Sequence, residues 1–433
     1  MKTHFNRFYQ LLFVIFALWN IGYAQPEPMV EDTYRFINYK VDTLYFNKKP
    51  STHKGSIENK DSLNAILQTF ITKFDSVATH KSGNINILHI GASHVQAGTF
   101  PHTVRQNLLR LYPDLQAGRG MIFPYSAAPK CNNPIDYRTR SVGRFGLIRN
   151  VYKEHQKPLG ITGIAIYTLD SVSEIRIVPC DSLKKFKTTK ITLLGYCMED
   201  STFLPVLNVN SVDYLPSTII PKKRQFIYEN ICVTDSFTFS LTTKGSSSFT
   251  ITGILLENEN PGITYHSIGV NGASVNAFLR CEHFEEEIIL LSPDMVIFGL
   301  GINDANEPDF TPNTFKENYL KLVAQFRKVN PNIFFVFITN NDSYKKVGKK
   351  YEVNVKAVEV RKIFYELADE TDGAVFDQFE IMGGLHSIEK WRGAKLAQND
   401  RIHFTKEGYE LMGKLLFNAL IKFVETQRAA FLH

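Results

Sequence analysis

Cysteine is scarce in this chain, and what there is forms no metal-binding pattern. Five occur in 433 residues (Cys131, Cys180, Cys197, Cys232 and Cys281), none in a Cys-x-x-Cys or histidine-rich spacing, so no zinc site is indicated. The odd count leaves at least one thiol unpaired in an oxidising compartment. Buried thiols are the plain reading, with room for one disulfide among Cys180, Cys197 and Cys232. An excess of charge is lacking too. Lys and Arg total 49 against 43 Asp and Glu, a net +6 spread along the chain; a nucleic-acid footprint needs clustered basic surface. There is no internal repeat and no low-complexity run. With 44% hydrophobic and 21% charged residues, a disordered or collagen-like chain is excluded. Tryptophan is rare (2) and phenylalanine abundant (33), which fits buried strands. The length is about three times a typical domain, which favours two or more domains.

The first residues read as an address. Lys2 and Arg7 precede an apolar run from Leu11 to Trp19, followed by Gly22-Tyr23-Ala24. This is the pattern of a secretory signal peptide, residues 1–24, with small residues where a signal peptidase cuts. The run is shorter than the roughly 20 residues a membrane span needs. No second long apolar run follows, so the mature chain is expected to lack an integral membrane segment. No Cys follows the cleavage point, so no lipoprotein anchor is expected. The expected location is secreted or periplasmic.

Residues 25–60 are polar, with Pro26, Pro28 and Pro50, and read as an N-terminal arm packed on the surface. Apolar residues at helical spacing from Leu63 to Phe74 predict a helix over 61–78. A short apolar strand, Asn84–Ile90, then meets Gly91-Ala92-Ser93-His94 and a second helical stretch near Val104–Leu111. After about Pro129 the residues alternate: Gly163–Leu169, Glu174–Val178, Ile191–Gly195, Ser236–Leu241 and Ser248–Leu255 all read as strands of a sandwich. Beyond Pro261 an α/β rhythm returns. Met295–Gly299, Ile333–Thr339 and Ala374–Phe376 read as strands, and Thr314–Lys328, Asn354–Ala368 and Thr405–Phe423 as helices. Alternation of this kind implies a parallel sheet. The expected architecture is an α/β domain of two segments, 61–129 and 260–433, with a β-sandwich inserted at 130–259.

Four segments sit where chemistry gathers in such a sheet, beyond the carboxyl ends of its strands. Ser93 lies in a Gly-containing turn between strand and helix. It has the makings of a nucleophile, although serine is also a common helix cap. Ser267-Ile268-Gly269-Val270-Asn271-Gly272-Ala273 is a loop in which a glycine can present its N–H to a pocket. Gly299-Leu300-Gly301-Ile302-Asn303-Asp304 places an amide at a strand end. Asp400-Arg401-Ile402-His403 precedes the last helix, and an Asp and a His three apart can meet within one turn.

Together these residues resemble the SGNH hydrolase superfamily, the GDSL-type esterases, whose order along the chain is Ser, Gly, Asn, then Asp-x-x-His. The matching positions are Ser93, Gly272, Asn303, Asp400 and His403. The resemblance covers roughly 61–128 and 262–425 and implies a three-layer, flavodoxin-like α/β fold. It implies that Ser93 attacks an ester carbonyl, His403 carries the proton and Asp400 orients the imidazole. The N–H groups of Ser93 and Gly272 and the amide of Asn303 would form the oxyanion hole. No metal or other cofactor is implied.

One departure is Ala92, where the family's first motif usually has Asp; it puts the rigidity of the loop in question. His94 after the nucleophile is similar to the subgroup that removes O-acetyl groups from peptidoglycan and related glycans, as are the secretion signal and the β-rich, carbohydrate-binding-like insert. The stretch Gly118–Tyr125, with Arg119 and Phe123, and the segment Gly383-Gly384…Trp391 are further similarities. Both are candidate substrate loops, or else Phe123, Pro124 and Trp391 pack the domain boundary. The implied partner is an O-acetylated glycan. Two rivals stand beside it: an O-acyltransferase using the same serine, and a non-catalytic glycan-binding protein. Glu285-Glu286-Glu287 reads as a helix face, and the lysines at 345, 346, 349 and 350 as a solvated loop around Gly348. His102 and His386 have no assigned partner, and Asp377 reads as a cap.

Overall fold

The computed structural model describes residues 34–47, 62–129, 131, 134–180, 187–199, 202–233 and 236–431. The expected signal peptide and most of the expected arm lie outside the described residues. The architecture below belongs to the unit 36–433.

Six strands form the central sheet: β1 (Tyr45–Phe46), β2 (Asn84–Gly91), β3 (Gly262–Gly269), β4 (Met295–Gly299), β5 (Phe334–Ile338) and β6 (Ala374–Phe376). Their order is β1-β6-β5-β4-β2-β3. β1 runs antiparallel on β6 and the remaining neighbours are parallel. The helices that matter here are α1 (Ser62–His80), α2 (Ser93–Gln96), α3 (Thr99–Leu111), α4 (Pro312–Val329), α5 (Lys356–Thr371) and α6 (Lys406–Phe431).

Strand side chains alternate between faces, and here both faces are apolar. Leu88, Ile90, Val296, Phe298, Phe335 and Phe337 join one core with Tyr319 and Phe326 of α4 and Phe364 of α5. Phe298 stacks on Phe335 and Phe337 at 5.8 and 5.5 Å. On the opposite face, Phe70 of α1 and Phe423 of α6 both stack on Phe334, at 5.8 and 5.7 Å. Burying each such ring is worth roughly 1.5–3 kcal/mol. α4 begins as its sequence dictates: Thr311 caps the N–H of Thr314, Pro312 sits in the first turn, and Arg327 and Lys328 close the last. Helices on both faces of a mostly parallel sheet make three layers.

Two antiparallel sheets supply the β-rich part. One has five strands in the order Val212–Tyr214, Val206–Val209, Phe237–Thr242, Val172–Pro179, Tyr137–Val142. The other runs Thr218–Ile220, Gln225–Tyr228, Lys190–Cys197, Phe249–Glu257, Ile164–Thr168, Phe145–Arg149, and Gly120–Ile122 also pairs with Phe249–Glu257. Ile166, Ile177, Leu193, Phe239 and Phe249 are among the residues of the core they enclose. Met121, Leu194 and Leu255 instead join the core of the α/β layers. The β-rich part is thus packed onto the α/β layers.

Several expectations need correction. The arm is not wholly a surface segment: Tyr45–Phe46 extends the central sheet, and Phe46 packs on Phe334 and Phe423. Strand β3 was hidden by the polar residues it carries into the interior, Thr264 and His266 among them. The backbone N–H of Met121 donates to His266, and Arg105 donates to the carbonyl of Tyr265. Glu285-Glu286-Glu287 lie on the helix Phe284–Leu291 as expected, but Glu287 faces inward. It is 1% exposed and accepts the N–H of Ile161. The lysine-rich loop is a hairpin, Tyr344–Val347 with Lys350–Val353. Asp377 caps the turn at Glu380 as expected, and also accepts from Thr339, Arg361 and Tyr365. Tyr344 and the ring of His386 share a hydrogen bond of 3.1 Å. Cys131, Cys232 and Cys281 take part in no disulfide.

A buried ion cluster pins the β-rich part to the α/β layers. Asp136 lies 3.1 Å from Arg105 of α3 and 2.5 Å from Arg119, with His102 at 3.9 Å. Burial acts to raise the Asp136 pKa, but Arg119, His102 and Arg105 outweigh it and hold the carboxyl far below the usual range. Removing one partner strands the opposite charge in the interior. Asp136→Ala is therefore expected to cost about 3–5 kcal/mol, read as a lowered midpoint in urea unfolding; an unchanged midpoint contradicts this role.

Candidate active site

Ser93, Asn271, Gly272 and Asn303 all follow the carboxyl ends of β2, β3 and β4. Asp400 and His403 lie just before α6. The sharp turn into α2 depends on small residues. A side chain at Gly269 would put its Cβ 2.3 Å from the backbone nitrogen of Gln96, so only glycine lets α2 sit against the end of β3. Ala92, not Ser93, precedes the first turn of α2. That leaves the Ser93 hydroxyl for another partner, and the helix-cap reading of Ser93 does not hold.

The partner is His403. Its Nε2 lies 2.8 Å from Ser93 Oγ, across 310 residues of chain. Its Nδ1 lies 2.7 Å from Asp400 Oδ2. A carboxylate can only accept, so Nδ1 carries the proton and Nε2 is left to accept the serine's. Asp400 Oδ1 accepts the backbone N–H groups of Ile402 and His403, each at 3.0 Å. Burial acts to raise the Asp400 pKa, but the imidazole and these two N–H groups prevail and hold it below the ordinary carboxylate value.

Ser93 and His403 open onto a cleft of about 470 Å³, with Asp400 behind the imidazole. Its lining is rich in carboxamides: Gln96, Asn271, Asn303, Asn306, Asn340 and Asn341. Among the described residues that line it there is no Lys, Arg, Asp or Glu. Gly272 lines it with φ +81, a conformation that glycine adopts without strain. Asn303 donates one amide hydrogen to the Ala273 carbonyl at 2.9 Å, which fixes the plane of the amide and leaves its second hydrogen for a ligand. No group of three or more His, Cys, Asp or Glu among the described residues is disposed to hold a metal.

His94 also lines the cleft and braces the imidazole. Its ring lies 5.5 Å from that of His403, and its Nδ1 is 2.9 Å from the Tyr409 hydroxyl. Burial, then the nearby His403, pushes its pKa down to about 3, so its ring stays neutral. The other candidate substrate-loop residues do not line the cleft. Arg119 is 2% exposed and bound to Asp136. Phe123 is 2% exposed and packs on Tyr125 in the sandwich core. Trp391 is fully buried, donating to the Met382 carbonyl and packing on Phe404, which follows His403. Their sizes and charges serve the interior. Ala92 is 6% exposed in the apolar core, a place where an acid would need its own partner.

Sequence reasoning missed Gln96, Asn341 and Tyr409. Gln96 lies one helical turn after Ser93, and its Oε1 accepts the Asn271 N–H at 2.5 Å. Asn341 lies just beyond β5 and donates to the Ile402 carbonyl at 3.0 Å, steadying the Asp-x-x-His turn. A polar residue at a strand end was the available signal for Asn341, and helical spacing from Ser93 for Gln96.

Residues 235–411 match the model of the GDSL-like lipase/acylhydrolase family. No curated protein matches. Among solved structures, a peptidoglycan O-acetylesterase matches with a TM-score of 0.68 at 20% identity, covering 82% of this chain and 96% of its own. At that identity the likeness is one of fold, and the fold is that of SGNH hydrolases. A lipase/acylhydrolase from Enterococcus faecalis matches at 23% identity over 37% of this chain and 75% of its own, with a TM-score of 0.28.

Asp304 braces the same loop from behind. It is 6% exposed, and its Oδ1 accepts the Val275 N–H at 2.9 Å. Burial raises its pKa from 3.8 to about 7, against the pull of that N–H. The folded state thus binds the proton more tightly than the unfolded chain, and stability falls as pH climbs from 3.8 through about 7. Asp304→Asn removes the ionisation and keeps an oxygen for Val275. Relative to wild type, its thermal midpoint is expected to rise between pH 4 and pH 8; a difference that is flat with pH contradicts this.

Proposed function

We propose that this chain, whose residues 235–411 match the GDSL-like lipase/acylhydrolase model on an SGNH-hydrolase fold, is a secreted or periplasmic serine esterase that removes O-acetyl groups from a polysaccharide, peptidoglycan first among candidates. The observation that carries this reading is the chain of two short contacts, 2.8 Å from Ser93 to His403 and 2.7 Å from His403 to Asp400, at the cleft.

In this reading Ser93 Oγ attacks the acetyl carbonyl while His403 Nε2 takes its proton. The same nitrogen returns the proton to the leaving sugar hydroxyl, and water then releases acetate by the reverse sequence. Asp400 keeps the imidazole in the required tautomer and stabilises its charged form. The oxyanion is received by the N–H groups of Ser93 and Gly272 and the free amide hydrogen of Asn303. Such donors act strongly because they are already in place when charge develops. A glycan substrate is supported by the lining of the cleft: carboxamides both donate to and accept from hydroxyl groups, and the lining adds no fixed charge. The overall likeness to a peptidoglycan O-acetylesterase, which spans the β-rich part as well as the α/β layers, supports the same choice. Export is supported by residues 1–24 of the sequence.

Ser93→Ala is expected to abolish hydrolysis of p-nitrophenyl acetate, and acetate release from O-acetylated peptidoglycan, with the melting temperature retained. Undiminished turnover removes Ser93 from the mechanism. Acetate release from other acetylated glycans but not from peptidoglycan redirects the substrate. Asn303→Ala is expected to lower kcat by ~10²–10³ with little change in KM; a change confined to KM makes Asn303 a substrate contact instead.

A further inference from the structure

The loop that carries Gly272 is held by a residue from the β-rich part. Arg149 ends the strand Phe145–Arg149, and its Nη2 donates to the carbonyl oxygen of Asn271. The N–H of Asn271 is taken on its other side by Gln96 Oε1, from the helix that begins at Ser93. Both polar groups of one residue are thus clamped, one from each part of the fold.

The peptide plane makes this consequential. In a trans peptide the carbonyl of one residue and the N–H of the next point in opposite directions. The carbonyl of Asn271 and the N–H of Gly272 belong to one such unit. Holding the carbonyl on the Arg149 side sends the Gly272 N–H the other way. Gly272 lines the cleft and Arg149 does not. Glycine at φ +81 has little steric resistance of its own to a flip of that peptide. An outside hydrogen bond from a charged donor is the stronger kind, and it selects one orientation.

We propose that Arg149 is a positioning residue, which presets the Gly272 N–H as an oxyanion donor and so makes the β-rich part necessary for turnover as well as for fold. The inference rests on the esterase reading above. Its effect falls on the transition state: the N–H strengthens its bond as the carbonyl oxygen gains charge, and the ground-state ester gains little from it.

The test compares wild type, Ser93→Ala, Arg149→Met and Arg149→Lys on p-nitrophenyl acetate, each with its melting temperature. Arg149→Met is expected to lose about 10- to 100-fold in kcat, with KM within about threefold. Arg149→Lys, which keeps a charged donor and folds if Met does not, is expected to retain several-fold more kcat than Arg149→Met, or a clear kcat deficit if it is the folded variant. The inference is overturned if the folded variants keep wild-type kcat, if the loss falls on KM, or if Lys is no better than Met when both fold. Wild-type turnover equal to that of Ser93→Ala instead overturns the esterase reading and, with it, this inference.

Discussion

Everything depends on one hydrogen bond, between Ser93 Oγ and His403 Nε2. It is worth little as a stabilising contact, since an exchange with water leaves a net of about 1 kcal/mol. Its value lies in being imposed. The serine is set by the end of β2 and the turn into α2, the histidine by a turn just before α6. These two pieces meet only because α6 packs on α3 and, through Phe423, on the central sheet. His94 lies beside the imidazole, while Trp391 on Phe404 and Asn341 on the Ile402 carbonyl hold the turn that carries it. A core of stacked phenylalanines thus spends its rigidity on the placement of one imidazole.

The same logic extends to the loop that carries Gly272. Gln96, Arg149, Asn303 and Asp304 each hold a backbone group between Asn271 and Val275. Three come from the α/β layers and one from the β-rich part. That part is joined to the layers by the Asp136 ion cluster and by shared apolar core. Through Arg149 the β-rich part therefore reaches the loop that carries Gly272. Preorganisation of this sort is the usual source of rate in acyl transfer.

Much of this was legible in the sequence. The two periodicities marked the sheet, the helices and the sandwich, and the order Ser93, Gly272, Asn303, Asp400, His403 picked out residues that the fold brings to the cleft or to its histidine. What was hidden has common causes. Strand β3 carries polar residues whose partners, Arg105 and the Met121 backbone, lie far away in sequence. β1 has two residues, too few for a period. Arg119, Phe123 and Trp391 had the composition of ligand-binding residues, but charge pairing and close packing drew them inside. Gln96 and Arg149 act on backbone groups, and such partners leave no pattern in a sequence. The 235–411 span of the family match makes the same point, for the segment with Ser93 lies outside it.

The central claim is that His403 activates Ser93. A fluorophosphonate probe followed by peptide mass mapping tests it most directly. The account predicts a single adduct, on Ser93, formed at least ~10²-fold more slowly in a folded His403→Ala variant. An adduct elsewhere, or labelling of Ser93 at an undiminished rate without His403, contradicts it.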